Sequence, residues 1–144
     1  MEILNRIRLF KSLSPREREL VADMPNLIYM IPENETFITY AQQDDSFYII
    51  INGSAKVTRH KKTISTLVPG DFVGEVGFIC NEPRSASVTA SSTVIAMKID
   101  QYVFLRLPPA IREGIKDKII LGLVERINNE GDKIRQYEDI LTIL

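Results

Sequence analysis

This sequence predicts a mainly β fold with flanking helices (α+β), built as an antiparallel β-roll or jelly roll. Two observations carry that expectation. Residues 26–99 break into short runs rich in β-branched and aromatic residues, separated by turn-prone clusters. No long helical pattern divides those runs, which favours antiparallel strands over a layered α/β arrangement. Residues 1–24 and 100–144, by contrast, carry apolar residues at helical spacing. One domain over 1–144 is expected, with helices at both ends of the roll.

The N-terminal helical zone, 1–24, has Ile3, Leu4, Ile7, Leu9 and Phe10 as its apolar positions. Ser14-Pro15-Arg16-Glu17 then forms a capping box with proline at the first helical position, so a second short helix starts there. Seven strands follow, over Leu27–Ile31, Thr36–Tyr40, Phe47–Ile51, Ala55–Arg59, Thr63–Leu67, Ser85–Ala90 and Thr93–Ile99. Pro32-Glu33-Asn34-Glu35, Gln43-Asp44-Asp45, Asn52-Gly53 and Pro69-Gly70-Asp71 are the turns between them. Alternation is cleanest at Ala55-Lys56-Val57-Thr58, which predicts one buried and one wet face.

After the strands, Asp100 is placed to cap a short helix through about Arg106. Pro108-Pro109 interrupts it, and Pro109 opens the last helix. Along that helix Ile120, Ile127, Ile134 and Leu141 recur every seven residues, with Leu123, Tyr137 and Leu144 between them and Glu130 the exception. Such a stripe marks core packing or a helix–helix seam. Asn128-Asn129-Glu130-Gly131-Asp132 is the weak place in it, since a glycine inside a helix costs about 1 kcal/mol relative to alanine. A solvated bend is expected there.

Charge and composition exclude several classes. Eighteen basic and nineteen acidic residues give a net charge of −1, so nothing attracts nucleic acid or a membrane surface in general, and no direct nucleic acid binding is expected. The hydrophobic content of 44% suits a packed globular chain. One cysteine provides no internal disulfide framework, and Met1-Glu2-Ile3-Leu4-Asn5-Arg6 lacks the pattern of a secretory signal. No apolar run approaches the twenty or so residues that span a bilayer. A cytoplasmic, reducing location is therefore expected. A single histidine and a single cysteine cannot furnish a transition-metal site of the usual kind, so neither a metal nor another cofactor is expected. No nucleophile elbow, P-loop or catalytic cysteine–histidine spacing appears, so no enzyme is expected. His60, beside Lys61 and Lys62, reads as the solvated tip of a polar hairpin, and Cys80 as an inert thiol.

The richest stretch is 70–88, Gly-Asp-Phe-Val-Gly-Glu-Val-Gly-Phe-Ile-Cys-Asn-Glu-Pro-Arg-Ser-Ala-Ser-Val. It sets a glycine-backed carboxylate, Glu75, nine residues ahead of a proline-backed guanidinium, Arg84. Arg84 offers a planar fork that pairs with two oxygens of an anion at once, which a lysine cannot reproduce. Residues 75–80 read as one helical turn whose first N–H groups would face that anion. Gly74 and Gly77 have no Cβ, so the backbone can approach a ligand closely there. A compact anion that also carries hydroxyls fits this layout. The plain alternative is a structural ion pair between Glu75 and Arg84, of the kind that contributes about 0–1 kcal/mol at a surface.

Gly74, Glu75, Val76, Gly77, Phe78, Ile79, Pro83, Arg84, Ala86 and Ser87 together resemble the phosphate-binding cassette of cyclic nucleotide-binding domains, with no insertion. Leu9-Phe10, Leu13-Ser14 and Glu19-Leu20 are similar to the usual start of that family, and Asp44 to Val57 to its strands. Asn34, at a position often glycine, and Val73, in place of the usual phenylalanine, are departures that keep the local requirements. The resemblance implies that Arg84 holds the phosphate of a cyclic nucleotide and Glu75 its ribose 2′-hydroxyl. It further implies help from Gly74, Val76, Gly77, Ser85 and the backbone N–H of Ala86. Ser85, rather than threonine, after the arginine leans the ligand toward cyclic AMP over cyclic GMP. The terminal helix is then expected to close over the base, with Arg126, Asn128 and Asn129 as candidate base contacts, and to form a homodimer. No effector domain is expected before Leu144, so a partner protein reads the change or the chain belongs to a longer product. Two other readings stay open: a β-roll interaction domain that no longer binds nucleotide, and a cupin-like roll enzyme, which the histidine count disfavours.

Overall fold

A computed structural model describes residues 10–80 and 82–129, with the side chains of 76, 77, 80 and 125–129 left aside. The chain divides into two compact units, residues 1–108 and 109–144. In the first unit, α1 (Pro15–Ala22) opens on the capping box read from sequence: Glu17 N–H donates to Ser14 Oγ, and Ser14 N–H to the Glu17 carboxylate. Eight strands follow: β1 (Ile28–Ile31), β2 (Thr36–Ile38), β3 (Phe47–Asn52), β4 (Ala55–Arg59), β5 (Lys62–Leu67), β6 (Phe72–Val73), β7 (Ser87–Ala90) and β8 (Val94–Ile99). A six-residue helix, α2 (Glu75–Cys80), lies between β6 and β7.

The strands form two four-stranded antiparallel sheets, ordered β1-β8-β3-β6 and β2-β7-β4-β5. Each sheet turns an apolar face inward, and Ile38, Ile50, Ala55, Val88, Val94 and Ala96 belong to one buried cluster. The burial of β7 alternates residue by residue, as a strand with one wet face should. Burying a side chain the size of isoleucine contributes about 1.5–3 kcal/mol, so this cluster is a substantial support of the roll.

Most strand ends fall within two residues of the sequence expectation. Two departures are instructive. β6 was not expected, because two residues show no periodicity; it exists through pairing, with Val73 opposite Tyr48 and Phe72 opposite Ile49 on β3. β7 begins at Ser87 rather than Ser85, because Arg84 and Ser85 are bonded elsewhere. Asn34 adopts φ +70, the left-handed geometry its turn position was expected to need.

The unit closes with α3 (Gln101–Arg106), where Asp100 caps Val103 N–H at 2.8 Å. The second unit begins with α4 (Pro109–Asn129), which starts at Pro109 as expected. Ile120, the first residue of the seven-residue repeat, is 58% exposed. The side chains of Arg126, Ile127, Asn128 and Asn129, and all residues from 130 onward, lie outside what is described. No described helix is long and apolar enough to cross a membrane.

Candidate functional site

The site is built where β6 runs into α2 and where the segment 41–46 runs beside the residues before β7. Gly74 sits at φ +84, which L side chains rarely adopt. Its carbonyl accepts the first helical bond, from Phe78 N–H at 3.3 Å. Phe78 then anchors the short helix, packing edge-on against Phe47 of β3 at 4.9 Å and Phe104 of α3 at 5.9 Å. Six residues would not hold a helix alone; these rings fix it in place.

Arg84 is the centre of the arrangement. It is 5% exposed, one of two buried polar or charged residues among those described. Its backbone is clamped on both sides, Arg84 N–H donating to the Gln42 carbonyl and Ala41 N–H to the Arg84 carbonyl, each at 2.8 Å. Its side chain donates from Nη1 to the Gly74 carbonyl at 2.7 Å and from Nη2 to the Ser46 carbonyl. Asp44 Oδ2 lies 3.4 Å from Nη2 and balances the charge. Nε is buried and has no hydrogen-bond partner.

A Cβ on Gly74 would collide with Arg84 Nη1 and sit 3.0 Å from its Cζ. Glycine is therefore required here twice over, for its backbone angle and for the guanidinium that lies against it.

The two carboxylates near this loop are used differently. Asp44 accepts from both Ser46 N–H at 3.0 Å and Ser46 Oγ at 2.7 Å. Burial alone would raise its pKa, but these bonds, with the charges of Arg84 and Lys98, outweigh it and hold the carboxyl below its ordinary 3.8. Glu75 opens α2, half-buried, and makes no ion pair with Arg84. The plain alternative of a Glu75–Arg84 bridge is thus not what forms. In sequence Asp44 reads as a turn residue and Ser46 carries no signal of its own. The signal that could have found them is the Asp-x-Ser spacing, in which a carboxylate folds back onto a backbone two residues on.

Beside Arg84 opens a cleft of about 360 Å³ lined by Tyr40, Ala41, Arg59, His60, Pro83, Arg84 and Ser85. His60 is exposed at the β4–β5 tip, as expected, and its ring lies 6.0 Å from that of Tyr40. Among the described residues no group of three or more histidine, cysteine, aspartate or glutamate side chains could hold a metal.

The sequence profile of the cyclic nucleotide-binding domain family matches residues 14–108. The chain belongs to that family. A cAMP-dependent protein kinase regulatory subunit from Candida albicans is 31% identical over 118 residues, 81% of this chain but only 26% of that protein, so the chain spans about a quarter of that relative. A solved domain described as PKAR CBD2 bound to Sp-2Cl-cAMPS is 30% identical with a TM-score of 0.68, covering 90% of this chain and 88% of that one. The regulatory subunit of a cAMP-independent protein kinase A from Trypanosoma brucei is 25% identical with a TM-score of 0.64, covering 81% and 44%. A mutant of that subunit, with a threonine-to-arginine exchange among its substitutions, is described as bound to cAMP in its A site. The antiparallel roll with flanking helices is the fold of this family, and the chain is homologous to the cyclic nucleotide-binding domains of kinase regulatory subunits.

Proposed function

We propose that this domain is a non-catalytic sensor that binds a cyclic nucleotide, cyclic AMP in preference to cyclic GMP. The observation that carries the reading is the buried Arg84 guanidinium beside the cleft, oriented at Gly74 and with its Nε left without a partner. A buried donor without an acceptor costs about 1–3 kcal/mol, and a phosphodiester oxygen supplies the acceptor with a charge of the right sign. Asp44 and the two carbonyls hold the guanidinium in one orientation before the ligand arrives, so little ordering is left for binding to cost. Glu75, not bonded to Arg84, is the acceptor for the ribose 2′-hydroxyl. Gly74 and Gly77 let the backbone close on the ring phosphate beside Val76, and Ser85 and the Ala86 N–H complete its contacts.

The cAMP-dependent kinase regulatory subunit among the relatives supports the ligand class, and the mutant described as bound to cAMP has an arginine introduced as one of its three substitutions. Arg126, Asn128 and Asn129 on the last helix meet the base. That helix pairs two copies of the chain and carries the change to a partner protein in the cytoplasm. The ligand transmits a signal only if it contacts two states of the protein differently.

A second reading, a roll that binds partners but no nucleotide, is favoured by one observation: both Nη groups of Arg84 already bond within the protein. Calorimetry with cyclic AMP and cyclic GMP separates the two. Wild type should bind, and Arg84→Ala should lose about 2–5 kcal/mol, roughly thirty-fold to several thousand-fold. Arg84→Lys, which keeps the charge and loses the fork, should also lose most of the affinity. Wild-type protein that binds neither nucleotide would establish the second reading instead.

A further inference from the structure

We infer that Arg59 is a positioning residue for the anion site, acting through the peptide group that joins Ser85 to Ala86. The inference rests on the ligand reading above and adds to it a residue from another part of the chain.

Arg59 is the last residue of β4, paired with Lys62 across a tip where His60 and Lys61 both take positive φ. β4 also pairs with β7, and that ladder ends at Thr58 opposite Ser87. One step beyond it, Arg59 crosses over and donates from Nε to the Ser85 carbonyl at 2.8 Å. No carboxylate among the described residues forms an ion pair with Arg59.

The consequence follows from amide geometry. No peptide bond in the described chain is cis, and in a trans peptide the C=O and the following N–H lie in one plane and point in opposite directions. Fixing the Ser85 carbonyl toward Arg59 therefore fixes the direction of the Ala86 N–H, the group assigned to the phosphate. A cationic donor on the carbonyl also polarises the amide and makes its N–H a stronger donor. On the other side, the Arg84 carbonyl is held by Ala41. Two consecutive carbonyls, of Arg84 and Ser85, are thus anchored to different elements. The cassette end is set in place before any ligand contact. Arg59 shares its cleft with Tyr40 and His60, so the guanidinium is supported beside solvent rather than sunk in the core.

The test combines calorimetry against cyclic AMP with the Ala86 amide resonance in ¹H–¹⁵N spectra, for wild type, Arg59→Ala, Arg59→Gln and Arg59→Lys. Affinity should fall about tenfold in Arg59→Ala and Arg59→Gln, the scale seen when an outer partner of a ligand-holding group is removed. The ligand-induced shift of the Ala86 amide should shrink with it, and Arg59→Lys should recover part of both. Wild-type affinity in Arg59→Ala and Arg59→Gln, or weakened binding with an unchanged Ala86 shift, would overturn the role of Arg59. If Arg84→Ala still weakens binding about thirty-fold or more in that case, the ligand reading stands. Wild-type protein that binds no cyclic nucleotide removes the ligand reading and this inference together.

Discussion

Two short segments meet at Arg84 and treat their carboxylates in opposite ways. The 41–46 segment commits Asp44 to the fold, through two hydrogen bonds from Ser46 and an ion pair with the guanidinium. The cassette leaves Glu75 at the start of its helix without an ion pair to Arg84. The difference lies in which charge is satisfied by the protein itself. A charge held from inside serves as scaffold, and one left open beside it is available to a ligand. The guanidinium between them turns its Nη groups to the protein and leaves Nε without a partner.

The contrast is most severely stressed by Gly74→Ala, which imposes a left-handed angle on a side chain and drives a methyl into the guanidinium. A loss of about 2–4 kcal/mol in urea unfolding is expected, with cyclic nucleotide binding abolished. A variant of wild-type stability would mean that Arg84 is not packed on Gly74.

Asp44→Asn keeps the shape and removes the charge, and about 1–3 kcal/mol of stability at pH 7 should go with it. Because the folded-state pKa lies below the ordinary 3.8, the Asp44 contribution is present above that value and lost as pH falls through the lowered one. The stability gap between wild type and Asp44→Asn, measured by denaturant titration across pH 7 to 3, should therefore narrow toward the acid end. A gap that stays constant would show that the Asp44 charge is not held by the fold.

Glu75→Gln should be the mildest for the fold, within about 0.5 kcal/mol, while cutting cyclic nucleotide affinity about tenfold through the lost charged acceptor. If stability fell as far as in Asp44→Asn, the two carboxylates would be equivalent and the contrast would fail.

Much of this was legible without coordinates, for local reasons. The Ser14-Pro15-Arg16-Glu17 box, the Asp100 cap and the Pro109 start are set by neighbours within a few residues, and all three formed as read. The strands from Ala55 and Val94 declare themselves by their own side chains. The cassette helix was visible because its glycines and apolar residues are contiguous. Illegible were β6, which exists only by pairing with β3, and the partners of Arg84 at 44 and 46. An ion pair spanning forty positions leaves no periodic trace, and Glu75 was the nearer and more obvious candidate.

Sequence alone determined the roll, the helix starts and the residue types gathered at 74–87, because propensity, capping and turn chemistry act over a few neighbouring residues. Tertiary structure decided that Asp44 rather than Glu75 balances Arg84, that Ser46 orients that carboxylate, and that Arg59 reaches the Ser85 carbonyl. Those outcomes depend on which strand ends the antiparallel pairing brings side by side, and on the cost of leaving a buried charge without a counterpart.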